Sequence, residues 1–112
     1  MRVLHLLSQR PSLTGSGITL DALVRCAADA GWDQRVVVGI PAIGPDPEVG
    51  GLDHDRIHPL RFGAGDLAFN VPGMSDVMPY PSTVFSAMGD ATVAAYLRGW
   101  RDHLSAVIHS FR

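Results

Sequence analysis

Two short, nearly continuous apolar runs do most to constrain what this chain can fold into. They are Arg2-Val3-Leu4-His5-Leu6-Leu7 and Arg35-Val36-Val37-Val38-Gly39. Apolar runs of this length, without polar alternation, read as strands buried on both faces, the kind found in parallel sheets. Between them, from about Gly17 to Ala30, Leu20, Leu23, Val24 and Ala27 fall on one helical face, and Gly31 supplies a C-terminal stop. Strand, helix and strand make a βαβ unit with a right-handed crossover.

The segment 40–56 holds three prolines, three glycines and four acidic residues, and reads as a loop. Ile57–Phe62 is a weaker third strand, which Pro59 confines to a sheet edge because proline cannot donate to a ladder. Residues 63–89 carry Pro72, Pro79 and Pro81, but also Phe69, Val71, Met78, Tyr80 and Phe85. Loops this long are uncommon unless functional or disordered, and the apolar content predicts an ordered segment packed on the body. In the last segment, Val93, Leu97, Trp100, Leu104, Val107, Ile108 and Phe111 form a helical stripe behind Asp90 as N-cap. Gly99 weakens that helix by about 1 kcal/mol relative to alanine.

The expected fold is therefore α/β: an incomplete Rossmann-like parallel sheet of about three strands, with a glycine loop and a long C-terminal amphipathic helix. The chain ends one residue past Phe111, where a doubly wound domain places another strand. A bare apolar edge invites pairing. The expectation is a piece of a longer protein, or a domain whose edge is filled by a partner or a second copy.

Composition removes several chemistries. The net charge of −2 offers no electrostatic footprint for nucleic acid or an anionic membrane. All nine basic residues are arginine, so neither a Walker A lysine nor a pyridoxal Schiff base is available. Cys26 is the only cysteine, which rules out an internal disulfide and an all-cysteine metal site; it is expected to pack at the edge of the first helix. The N-terminal run is too short for a signal-peptide core, and no segment approaches the roughly 20 apolar residues of a membrane span. A cytoplasmic protein is expected, with no transmembrane segment.

The stretch SQRPSLTGSGITLD, residues 8–21, is the main candidate site. The dinucleotide pattern G-x-G-x-x-G fits only Gly15 and Gly17, with Leu20 in the third position, and Gly39 and Ile40 stand where an acid should follow the second strand. The nucleophile elbow G-x-S-x-G fails at Thr14 and Ile18 around Ser16. Two readings of Gly15-Ser16-Gly17 stay open. Its N–H groups and the helix dipole favour an anion or a sugar hydroxyl, or its glycines simply permit a tight turn. Asp53-His54-Asp55 with His58 has metal-like spacing, but no shared helical face gives that spacing geometric force, so these histidines are expected to be structural or solvated. His5 reads as packed in the first strand, and His103 and His109 as flanks of the last helix.

The stretches MRVLHLLSQRPSLTGSGI, AADAGWDQRVVVG and, most distinctively, NVPGMSDVMPYPSTVFSAM resemble the start of a family 4 type glycosyltransferase with the GT-B fold. The resemblance implies two Rossmann-like domains facing each other across a cleft, transfer with retention of configuration, and no metal or cofactor other than the nucleotide-diphosphate sugar donor. It implies that Gly15, Ser16 and Gly17 form a loop approaching the donor diphosphate or acceptor. It also implies that Asn70 to Ser82, with Asn70, Met78 and Tyr80, lie beside the acceptor. On this reading residues 1–112 are part of the N-terminal domain of an enzyme that transfers a hexose to a sugar or other hydroxyl acceptor. The C-terminal donor-binding domain is then the missing partner, the isolated chain is inactive, and the location is cytoplasmic or peripheral at the inner membrane face. Two alternatives remain: a small self-associating α/β interaction domain without catalysis, and a small nucleotide-binding enzyme, against which the missing lysine, glycine and acid all weigh.

Overall fold

The computed structural model describes residues 1–73 and 77–111. Its elements are β1 (Arg2–Leu7), α1 (Gly15–Asp29), β2 (Asp33–Pro41), β3 (Ile57–Phe62), β4 (Val71–Gly73), β5 (Ser82–Val84) and α2 (Asp90–Ser110). The first three strands form one parallel sheet in the order β1-β2-β3, and β4 and β5 form a separate parallel pair. The fold is α/β and corresponds to part of a Rossmann-like domain.

The valine run explains the layering. Side chains alternate across a strand, so Val36, Val38 and Ile40 of β2 meet Leu20 and Val24 of α1 on one face. On the other face Val37 meets Leu60 and Phe62 of β3 and Trp100 and Val107 of α2. Each such side chain contributes about 1.5–3 kcal/mol on burial. The ion pairs, by contrast, sit on the exposed rim, where they add little. Gln34 is the buried polar residue of β2: its Nε2 donates to the Val24 carbonyl at 3.0 Å, and His5 Nε2 donates to its Oε1 at 2.8 Å. That pair ties β1 and α1 to the central strand.

Three expectations are corrected. First, β1 is not buried on both faces: among the described residues it pairs with β2 alone, and Leu6 is 54% exposed at the sheet edge. Second, the buried stripe of α1 is narrower than its sequence pattern. Leu20, Val24 and Ala27 are buried, but Leu23 is exposed, and so is Cys26 rather than packed. Third, α2 starts behind Gly89, with Asp90 inside its first turn, and its buried face is rotated toward Tyr96, Trp100, Leu104 and Val107. Leu97 and Ile108 face solvent. Tyr96 turns inward because an aromatic cluster awaits it, with ring centroids 6.1 Å from Phe62 and 5.8 Å from Phe85.

The end of α2 docks at the start of β1. The Phe111 carbonyl accepts from Arg2 Nη1 at 3.0 Å, and the guanidinium groups of Arg2 and Arg35 lie 5.4 and 4.9 Å from the Phe111 ring centroid. Such cation–π contacts favour planar guanidinium groups. Among the described residues no helix is long and apolar enough to cross a membrane.

Candidate functional site

In parallel α/β sheets the crevice outside the carboxyl ends of the strands is where ligands bind, because loops converge there. This chain has such a crevice, of about 450 Å³. Three connections build it. The loop after β1 brings Arg10 and Leu13, the turn after β2 brings Pro41 to Pro45, and the segment after β3 brings Gly63, Ala64, Asn70 and Pro79 to Pro81.

Local chemistry shapes each loop. Ser12 adopts φ 68°, a left-handed conformation that costs a non-glycine residue about 1 kcal/mol or more. Gly63, at φ 99°, lets the chain reverse after β3, and its N–H donates to the Phe69 carbonyl at 2.8 Å. The turn after β2 is pinned by the Ala42 N–H, which donates to the Phe62 carbonyl at 2.7 Å. Phe62 forms the floor: it is fully buried, and its ring packs 5.8 Å from Phe69 and 6.2 Å from Trp100. Crevice and core thus share a wall.

Two long-range contacts join the loops. The Arg10 N–H donates to the Tyr80 hydroxyl oxygen at 3.3 Å, and Arg10 Nη2 donates to the Pro45 carbonyl at 3.1 Å. Burial pushes the Tyr80 hydroxyl above its ordinary pKa, although the hydrogen bond and charge of Arg10 oppose that shift. Tyr80 is therefore a neutral phenol at pH 7, with a proton to donate, and is no general base. The Arg10 guanidinium has no carboxylate partner among the described residues.

Asn70 and Tyr80 both line this crevice, while Met78 is half-buried and not part of its wall. The Met-Ser-Asp portion of the distinctive segment, residues 74–76, lies outside the described residues. The Gly15-Ser16-Gly17 stretch, expected as a loop before the helix, is elsewhere and forms the first turn of α1 behind Thr14. Gly15 and Ser16 line a separate groove beside the open edge of β1, with Leu6, Leu7, Thr19, Leu20 and Leu23. Gly17 is buried, and its N–H donates to the Thr14 hydroxyl oxygen at 3.2 Å, closing the N-cap. A Cβ at Gly17 would lie 2.6 Å from the Ser12 nitrogen and 3.1 Å from the Arg10 carbonyl oxygen. That glycine lets the first loop lie across the helix start.

Gly39, where a dinucleotide site has its acid nearby, has a packing reason too. A Cβ there would meet the Ser8 carbonyl oxygen at 2.9 Å and the Trp100 ring at 3.2 Å. His54 is exposed on a short 3₁₀ turn, and His58 is half-buried on β3, where its carbonyl accepts from His103 Nε2 at 3.1 Å. No three His, Cys, Asp or Glu side chains gather as a metal-binding group among the described residues.

Arg10, Leu13 and Ile43 escaped the reading of the sequence, which was drawn to glycines and histidines. The usable signal was positional. Arg10 is the first cation past the end of a parallel strand, and Ile43 is an isolated apolar residue between two prolines. Comparison with family models, curated proteins and solved structures returned no match.

Proposed function

We propose that this chain is the acceptor-side, N-terminal part of a sugar-nucleotide-dependent glycosyltransferase of GT-B type, which transfers a hexose to a hydroxyl acceptor. The donor is held chiefly by a second domain outside residues 1–112. The observation that supports this best is the crevice at the strand ends. There Asn70 and Tyr80, from the segment most like the family, stand against the loop after β1 through the Arg10–Tyr80 hydrogen bond. The chemistry available is binding and orientation. Tyr80 and Asn70 can hydrogen-bond an acceptor, but among the described residues no carboxylate, histidine or cysteine lines the crevice to act as base or nucleophile.

Calorimetric titration of the 112-residue chain with UDP-sugars tests the division of labour. The expected result is affinity no better than about millimolar, since one helix terminus and a few N–H groups give little of the ~8 kcal/mol that micromolar binding requires. Micromolar affinity would refute the proposal. So would an intact gene with a stop codon directly after Arg112 and no partner domain.

One observation favours a second reading, a self-associating interaction domain: Leu6 is left exposed on an unpaired strand edge. Association of the free chain with increasing concentration would support that reading.

A further inference from the structure

We infer that the crevice at the carboxyl ends of β1, β2 and β3 binds a small amphiphilic anion, with its acidic group on Arg10 and its apolar body against the proline-rich walls. If the preceding proposal holds, this is the class of the acceptor: a hydroxylated amphiphile bearing a carboxylate or similar group, and not a free sugar.

Charge is the first argument. The protein carries a net −2, yet among the described residues none that lines this crevice is acidic. Among the described residues its one charged group is Arg10, whose backbone is held by Tyr80 and whose Nη2 is held by the Pro45 carbonyl. Several other guanidinium groups are neutralised, among them Arg61 by Asp46 at 2.9 Å and Arg25 by Asp21 at 2.8 Å. A planar guanidinium fixed by one of its nitrogens keeps further donors for bidentate contact with an anion.

The walls are the second argument. Pro41, Pro45, Pro79 and Pro81 are stiff, so little conformational freedom is lost on binding. Ile43 is 84% exposed and Leu13 47% exposed at the rim, an apolar surface left open by the described residues. The volume of about 450 Å³ falls within the range of small-molecule sites. A free sugar fits poorly, because its many hydroxyls need partners and, among the described residues, only Asn70, Tyr80 and Arg10 offer side-chain ones.

Fluorescence titration with a matched pair of probes tests this on the 112-residue chain. Anilinonaphthalene sulfonate is the anion, and N-phenylnaphthylamine is the same aromatic body without the charge. The anion is expected to bind one-to-one, about tenfold tighter than the neutral probe. Arg10→Gln should erase that preference and leave the neutral probe unchanged. Ile43→Asp, at a position too exposed to affect folding, should weaken both. Phenylbutyrate should displace the anion better than phenylbutanol does. Equal affinity of the wild type for both probes, an unchanged preference in Arg10→Gln, or no binding at all would each overturn the inference. Glycosyl transfer is scored separately. Anion binding without transfer by the parent protein removes only the acceptor role, and transfer without anion binding removes only this inference.

Discussion

Gly15 and Gly17 stand two positions apart in the first turn of α1 and are glycine for different reasons. Gly17 lies under backbone atoms that cannot swing aside, whereas a Cβ on Gly15 would meet nothing within 4 Å. Gly17→Ala is therefore expected to cost about 1–3 kcal/mol, as overpacking does. Gly15→Ala should be neutral or stabilise by up to about 1 kcal/mol, by restricting the unfolded chain. Urea denaturation of the two variants checks this, and equal effects would show that the loop does not lie as described. The sequence pattern G-S-G identified the loop but not this distinction, because the atoms that decide it belong to Arg10 and Ser12 folded back over the helix. Tyr80 teaches the same lesson. Its partner Arg10 is seventy residues away, and no local pattern connects them.

At the scale of elements, β3 and α2 meet around a histidine. Burial, then the charges of Arg35 and His103, holds the His58 imidazole below its ordinary 6.5, with Asp55 opposing, and its Nε2 is buried without a hydrogen-bond partner among the described residues. A base whose pKa is lower in the folded state takes up its proton first in the unfolded chain. The stability linked to His58 is thus fully present above 6.5 and is lost as pH falls from there through the folded-state value. Urea midpoints measured downward from that pH should fall less in His58→Gln than in the wild type, and parallel curves would refute this. The periodicity of α2 predicted a helix but misjudged its face, since Leu97 and Trp100 fit the stripe equally well. Only the aromatic cluster under Trp100 and Tyr96 chooses between them.

At the scale of the whole molecule, the two sheet edges are treated differently. On β3, Pro59 has no N–H to offer a further strand and Leu67 bridges to Phe62, devices that disfavour further pairing. On β1 the register with β2 is regular over all six residues, no proline intervenes, and apolar grooves run along both faces, one bordered by Leu6 and Leu23 and the other by Leu4 and Ile108. The free chain is expected to associate with increasing concentration. Leu6→Lys should reduce that association with little loss of stability, because the side chain is already half in water. Sedimentation velocity over a wide concentration range measures it. A wild-type monomer throughout would show that the edge is inert and would count against the interaction-domain reading.

By itself the sequence determined the succession of elements and the chemistry left out. Apolar runs without alternation specified parallel strands, helical spacing specified α1 and α2, and the absence of lysine removed whole classes of site. Local periodicity reports which face of an element prefers burial, because that preference is written in neighbouring residues. It does not report what covers the face. Tertiary structure alone decided that β1 is a half-exposed edge, that Gly17 serves packing, and that Arg10, Asn70 and Tyr80 share one crevice. Each of these depends on contacts between residues far apart in the chain, which are set by how the layers close on one another.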